Sequence, residues 1–199
     1  QTSIPKEELE LFKQLKDLKV IFDVGARTDT DYLKIWPDSE HHLFEPNPEF
    51  FDELHKKIEG KTNVHANEYG LGDKNQIVGY INGLYSFVTS EAINNPYAVG
   101  HLLLPMKTLD TYILETSIKQ IDFLKMDTEG YELKILLGAT NWFHIIKYIQ
   151  YEHWGIYNNK TIIGLLQDDF EIRNIGYRNM FCMNKKLVSE EERARLNKY

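Results

Sequence analysis

Gly25 and Glu45 stand twenty residues apart, each closing an apolar run, IFDV and HHLF respectively. A glycine lacks the Cβ that keeps a ligand off the backbone. An acid one strand further on can accept hydrogen bonds from both hydroxyls of a ribose. The plain alternative is a turn glycine and an exposed strand-end acid. A second group of acids follows at Asp127, Glu129 and Glu132 in KMDTEGYE, and a candidate pair, Glu152 and His153, closes the run IIKYIQY. Carboxylates and an imidazole so placed can take up a proton near neutral pH. Adjacent strand residues point oppositely, so only one of Glu152 and His153 can face a site unless the strand has ended. Glu132 falls in the first turn of the next helix, where an acid complements the helix dipole. Asp127, Glu129 and Glu152 could also hold magnesium through oxygen ligands, but no spacing demands it and no metal is expected. His41, His42, His55, His65, His101 and His144 show no ligand-like spacing and read as fold or surface residues.

Where a pyrophosphate-binding turn adds glycines, this chain continues Arg27-Thr28-Asp29 after Ala26. The GxGxxG fingerprint of dinucleotide sites is therefore absent. A nucleoside without phosphates has no need of it. S-adenosylmethionine, with a ribose and a zwitterionic amino-acid end, suits this loop better than NAD. Arg27 can clamp a carboxylate. Equally, Asp29 can cap the following helix while Arg27 points into solvent.

The elements that must position these residues alternate between strand and helix. Leu9, Phe12, Leu15 and Leu18 share one face of a helix expected over 6–18, within an N-terminal segment 1–19. KVIFDVGA reads as a strand, a short helix around 30–36 stops at Pro37, and HHLFEPN is a second strand. Pro48 suits the first turn of a helix over 48–58, and TNVHANEYGL is a third strand. Further on come a helix in MKTLDTYILET, a strand IDFLKMD, a helix YELKILLGA closed by Gly138, a strand IIKYIQYEHW and a helix KTIIGLLQDD. EIRNIG and NMFCMN form a closing strand pair before a charged helical end. Between 73 and 107 the pattern loosens, with turn signals at DKNQ, Asn82-Gly83 and NNP. That irregular insert is long enough for a binding loop or substrate lid. Tyr85, Tyr97 and Tyr157, beside turn residues, suit stacking on a sugar, whereas Tyr80, Phe87 and Trp154 read equally well as core. The alternation predicts one α/β domain over 1–199 with a mainly parallel sheet, its ligands at the carboxyl ends of the strands where strand order reverses. Asp127, ending the strand beside the first one, should face that site.

Five blocks now stand in order: DVGA (23–26), FEPNP (44–48), GLGD (70–73), TLD (108–110) and KMDTEGYE (125–132). Together, over about residues 20–155, they resemble the FkbM family of S-adenosylmethionine-dependent methyltransferases. The resemblance implies a class I methyltransferase fold, a Rossmann-like three-layer sandwich around a mainly parallel seven-stranded sheet. It implies methyl transfer, usually to a hydroxyl of a sugar or other small metabolite. By that likeness Asp23, Gly25 and Ala26 line the methionine and ribose side, Glu45 holds the ribose hydroxyls, and Pro46 lies against the adenine. Gly70 and Leu71 border the adenine edge. Where the family commonly has Asn and a further Gly after DVGA, this chain has RTDT. Methyl transfer needs in-line positioning and a base for the hydroxyl proton. The catalytic candidates are Asp127, Glu129, Glu152 and His153.

At the scale of the chain, 23 basic against 30 acidic residues and a formal charge of −7 offer no global attraction for nucleic acid. The two lysine clusters, Lys56, Lys57 and Lys61 and then Lys185 and Lys186, read as solvated faces. No apolar run approaches the roughly 18–20 residues of a membrane span, and the opening QTSIPKEELELFKQLKDL lacks the basic and apolar regions of a secretory signal. The single Cys182 excludes an intrachain disulfide and fits a reducing, cytoplasmic setting. The expected partner is a small-molecule acceptor. Two rivals stand beside this reading: an NAD-dependent Rossmann-like oxidoreductase, disfavoured by the missing glycines, and a degenerate methyltransferase fold that binds without turnover, which the RTDT departure keeps open.

Overall fold

The computed structural model describes residues 4–81, 86–88, 101–153 and 155–199. In chain order the elements are α1 (Lys6–Gln14), β1 (Val20–Val24), α2 (Tyr32–Ile35), β2 (Glu40–Phe44), α3 (Pro48–Ile58), β3 (Val64–Asn67), β4 (Gly70–Leu71), β5 (Gln76–Ile81), β6 (Ser86–Val88) and β7 (His101–Lys107). They continue with α4 (Leu109–Thr116), β8 (Ile121–Met126), α5 (Glu132–Leu137), a 3-10 helix over Thr140–Ile145, β9 (Ile146–Glu152), α6 (Ile156–Leu166), β10 (Phe170–Asn174), β11 (Asn179–Asn184) and α7 (Glu190–Leu196).

Seven strands form the main sheet in the order β10-β11-β9-β8-β1-β2-β3. All run parallel except β11, which is antiparallel to both its neighbours. The central strands are apolar on both faces because helices cover both faces. Ile21, Phe123, Tyr148 and Met183 fall in register across four neighbouring strands and pack with Leu11, Phe12 and Leu196 of the terminal helices. Phe22, Val24, Leu124, Met126 and Tyr151 face the other way, into the larger core with residues of α4, α5 and α6. Phe12 meets Phe123 edge-on at 5.3 Å, a geometry that adds to plain area burial. The class I methyltransferase fold is thus present, with strand order reversing between β8 and β1.

Local signals account for most boundaries. Asn47 accepts a hydrogen bond from Glu49 N at 3.0 Å, and Pro48 fills the first helical position, so α3 starts and ends where expected. Thr108 caps α4 and Ser189 caps α7 in the same way. Two expectations need correction. The helix expected to Leu18 stops at Gln14, with Leu15 extended and Asp17 at φ +56°, although Leu15 and Leu18 stay buried. The strand expected over 62–71 divides: Val64–Asn67 pairs with β2, whereas Gly70–Leu71 pairs with β7 in a second sheet.

That second sheet, ordered β4-β7-β5-β6, replaces the expected irregular insert over the described part of 73–107. Val78, Leu104 and Met106 are buried in the larger core, while Ile77 and Leu103 are exposed apolar residues on the opposite face. Apolar residues on both faces erase the period-two signature, and Pro105, opposite Ile77 in the pairing, argues against a strand in sequence. Residues 82–85 and 89–100, on which part of the lid expectation and the Tyr85 and Tyr97 expectations fall, lie outside the described residues, as does Trp154.

Candidate active site

The carboxyl ends of β1, β2 and β8 and the start of β4 surround a pocket whose walls include Gly25, Arg27, Glu45, Pro46, Gly70 and Leu71. Asp127 and Glu129 complete its acidic side. Gly25 sits at φ +83°, and a Cβ there would lie 2.1 Å from the Asp127 carbonyl oxygen. Its bareness is therefore required by the close approach of the β1 and β8 ends, a reason the sequence argument about ligand approach did not contain. At Gly70 a Cβ would meet the Met106 sulfur at 2.7 Å and Pro46 at 3.3 Å, so glycine keeps that wall thin.

Glu45 is buried and its two oxygens are already engaged. Arg27 N donates to Oε2 and Asn47 N to Oε1, both at 2.8 Å. Burial raises its pKa, opposed by these two backbone hydrogen bonds and by Lys125. The carboxylate thus holds the turn after β1 against the start of α3, and Glu45 lines the pocket.

Beneath the pocket lies a buried ion pair. Lys125 Nζ is 2.9 Å from Asp23 Oδ1 and donates to Gly25 O at 3.3 Å. Burial opposes the lysine charge, but the carboxylates of Asp23 and Asp127 outweigh it and hold its pKa above the usual lysine value. Asp23 is consequently a sheet residue paired across β1 and β8, outside the pocket lining; Ala26 is likewise buried in a small cluster with Leu43 and Leu54.

The loop after β8 is built by Glu132. Its Oε1 accepts from Thr128 N (2.8 Å), Thr128 Oγ1 (2.9 Å) and Gly130 N (3.3 Å). These bonds fold the chain back through Glu129 and Gly130, at φ +57° and +103°. Glu132 therefore does more than complement a helix dipole: it shapes the loop that presents Asp127 and Glu129. Burial and the neighbouring Asp127 raise the Glu129 pKa, while Arg27 and Arg178 pull it down.

Glu152 ends β9 beside Asp127, which follows the end of the adjacent strand β8. Burial, then the neighbouring Asp127 carboxylate, push its pKa up to about 7. Glu152 itself stands outside the pocket lining. His153 diverges from it: its backbone N donates to Arg178 O at 2.9 Å, and its ring Nδ1 is buried without a hydrogen-bond partner. Burial and Arg178 lower the His153 pKa. Neither residue lines the pocket, and of the two only Glu152 has its pKa set by the pocket acid Asp127.

Arg27 adopts φ +52° and is exposed at the pocket wall, its guanidinium 5.2 Å from the Phe50 ring centroid. Asp29 does not cap α2, which starts only at Tyr32 after Asp31; its Oδ1 accepts from Thr30 N at 2.8 Å instead. Residues not foreseen in the pocket are Asn47, Phe50, Leu104, Thr128 and Tyr131. Asn47 and Phe50 lie one helical turn apart, a spacing that could have flagged them once Glu45 and Pro46 were suspected. Nothing in the sequence ties Leu104 to FEPNP. Tyr157 is 87% exposed on the first turn of α6.

A buried strand-end carboxylate beside an apolar slot, with acids on the opposite wall, is the donor set a nucleoside with an ammonium end would need. On this fold it defines a class I methyltransferase. The chain belongs to the methyltransferase FkbM domain family, whose profile matches residues 23–178. A curated relative, the hexuronic acid methyltransferase AglP of Haloferax volcanii, is 24% identical over 160 residues, covering 79% of this chain and 65% of that protein. Among solved structures, the methyltransferase FkbM from Methylobacillus flagellatus KT superposes with a TM-score of 0.57 at 15% identity, over 86% of this chain and 47% of the other. A Streptococcus mutans protein assigned to the methyltransferases, solved in complex with SAH, gives 0.56 at 9% identity over 92% and 99%. The chain therefore spans about two thirds of the curated relative's length and about half of the solved FkbM protein's. No helix among the described residues is long and apolar enough to cross a membrane.

Proposed function

We propose that this chain transfers a methyl group from S-adenosylmethionine to a hydroxyl of a sugar or sugar acid. The observation that carries this reading is the pocket itself, with the buried Glu45 carboxylate on one wall and Asp127 and Glu129 on the other. Family membership supports the reaction class, and the hexuronic acid specificity in the curated relative's name supports a sugar acceptor.

S-adenosylmethionine supplies an already activated methyl carbon. In this reading Glu45 accepts the ribose hydroxyls with the lone pairs its two backbone donors leave free. Pro46, Phe50, Leu71 and Leu104 enclose the adenine, and Gly70 keeps that slot open. Arg27 takes the carboxylate end, and Glu129 takes the ammonium. The acceptor hydroxyl loses its proton to the Asp127–Glu152 pair. A carboxyl with a pKa near 7 is half ionised at neutral pH and matched to that transfer. Holding acceptor and donor in line supplies the rest of the acceleration. The second sheet, whose β7 places Leu104 in the pocket wall, closes the adenine side. The buried, unpaired Cys182 accords with a cytoplasmic setting.

Isothermal titration with S-adenosylmethionine and, separately, NAD tests the cofactor. Glu45→Ala is expected to weaken S-adenosylmethionine binding by roughly 1.5–3 kcal/mol, the range for hydrogen bonds to a charged group. Saturable NAD binding without S-adenosylmethionine binding would overturn the reading. Incubation with a panel of sugars and hexuronic acids, read by mass for a gain of one methyl group, then separates catalysis from a binding-only role.

A further inference from the structure

At the opposite end of β2 from the pocket, three donor groups meet. Glu40 opens the strand, and His42, two residues on, shares its face of the sheet. His65 on β3 is the register partner of His42. Glu40 Oε1 lies 3.2 Å from His42 Nε2 and 3.1 Å from His65 Nε2, and one donor atom from each of the three residues falls within 4.8 Å of the others. The two imidazoles stack at 4.8 Å with 25° between their planes.

The His42 side chain is only 4% exposed, and its Nε2 has no hydrogen-bond partner, since its approach to Glu40 lacks hydrogen-bond alignment. The other ring nitrogen, Nδ1, is 2.7 Å from the Tyr112 hydroxyl, which also accepts from Asn67 Nδ2 at 3.5 Å. When Nδ1–H donates to that oxygen, the Nε2 lone pair faces the cluster. A metal-ligating histidine is commonly held in this way by a partner on its second nitrogen. Glu40 and His65 are half-exposed, at 48% and 49%, and border a surface cleft shared with Lys19, Thr62 and Asn63. The cleft gives an ion a route in and leaves room for water as a fourth ligand.

We propose that Glu40, His42 and His65 form a divalent transition-metal site, best suited to zinc, that clamps the edge strand β3 to β2. Two imidazoles and a carboxylate form a common zinc donor set. Ligands about 2.0–2.2 Å from a tetrahedral ion stand about 3.4 Å apart, so the two separations from Glu40 Oε1, 3.1–3.2 Å, need adjust by only a few tenths of an ångström. The two ring nitrogens, within 4.8 Å of each other, close toward the ion by side-chain rotation at the half-exposed His65. Five residues of strand, about 16 Å, separate Glu40 from Glu45. The ion would be structural and take no part in the methyl transfer. In sequence the two histidines stand 23 positions apart, and only the parallel register unites them.

The test uses tag-free protein stripped with a chelator and titrated with zinc chloride, alongside thermal denaturation with and without zinc. One zinc per chain is expected, with a zinc-dependent rise in Tm. His65→Ala and Glu40→Gln, both at half-exposed positions that fold without the ion, should each weaken zinc affinity at least tenfold and abolish the rise. His144→Ala, remote from the cluster, should change neither. Absence of saturable zinc binding would overturn the proposal, and so would binding or a Tm rise that persists unchanged in His65→Ala.

Discussion

Glu152 and Asp127 stand side by side at neighbouring strand ends, and burial with the Asp127 charge lifts the Glu152 pKa to about 7, so Glu152 responds to pH near neutrality. If the pair accepts the substrate proton, methyl transfer requires its ionised form. The rate should therefore fall as pH drops below 7. Glu152→Gln is expected to lower kcat by about 10²–10⁴-fold, the usual contribution of a positioned base, and to flatten the acid limb of the profile. A pH–rate series on both proteins checks this, and an unaltered acid limb would assign the proton to another group. At this scale the sequence was informative where chemistry follows a motif: Gly25, Glu45 and Asp127 all border the pocket. It could not decide between Glu152 and His153, because that depends on where β9 ends. Nor could it show that Asp23 faces Lys125, a contact that exists only between adjacent strands.

Among the elements, β1 and β8 are joined below the pocket by the Asp23–Lys125 pair and above it by the contact of Gly25 with Asp127. A buried pair is costly to break from one side, because the survivor keeps its charge without a counterion. Lys125→Met should cost roughly 3–5 kcal/mol, while the double change with Asp23→Asn should recover much of that loss. Urea denaturation of the wild type and the two variants measures both. The strand–helix alternation of the main sheet was legible because its strands are continuous apolar runs and its helices carry caps such as Asn47, Thr108 and Ser189. The second sheet was not, since Leu103, Ile77 and Pro105 disguise the alternation of β5 and β7. The split between β3 and β4 was equally hidden, as pairing partners are chosen by the assembled fold.

For the molecule as a whole, Glu8, Glu45, Glu129, Glu132 and Glu152 all have pKa values raised chiefly by burial. Each binds its proton more tightly folded than unfolded. Their joint contribution to stability is fully present below about pH 4.3, the ordinary glutamate value, and declines as pH rises through the folded values. For Glu152 that window runs from the ordinary value up to about 7. His41, His42 and His153, whose pKa values are lowered, act in the opposite direction. Comparing wild type with Glu152→Gln isolates one group: the difference in unfolding free energy should move in favour of the variant between pH 5 and pH 8. Denaturant midpoints at the two pH values decide it, and a constant difference would show that the carboxyl does not titrate in this range.

The pairing of β4 with the last residues of β7 also bears on how such a scaffold diversifies. Gly70 and Leu71 are paired with Met106 and Lys107, so one wall of the pocket is fastened to the last two residues of β7. A flexible surface connection elsewhere in such a scaffold can lengthen at little cost, about 0.6 kcal/mol for each doubling of its length. Such connections can therefore vary in length while the β4 wall stays in register with β7.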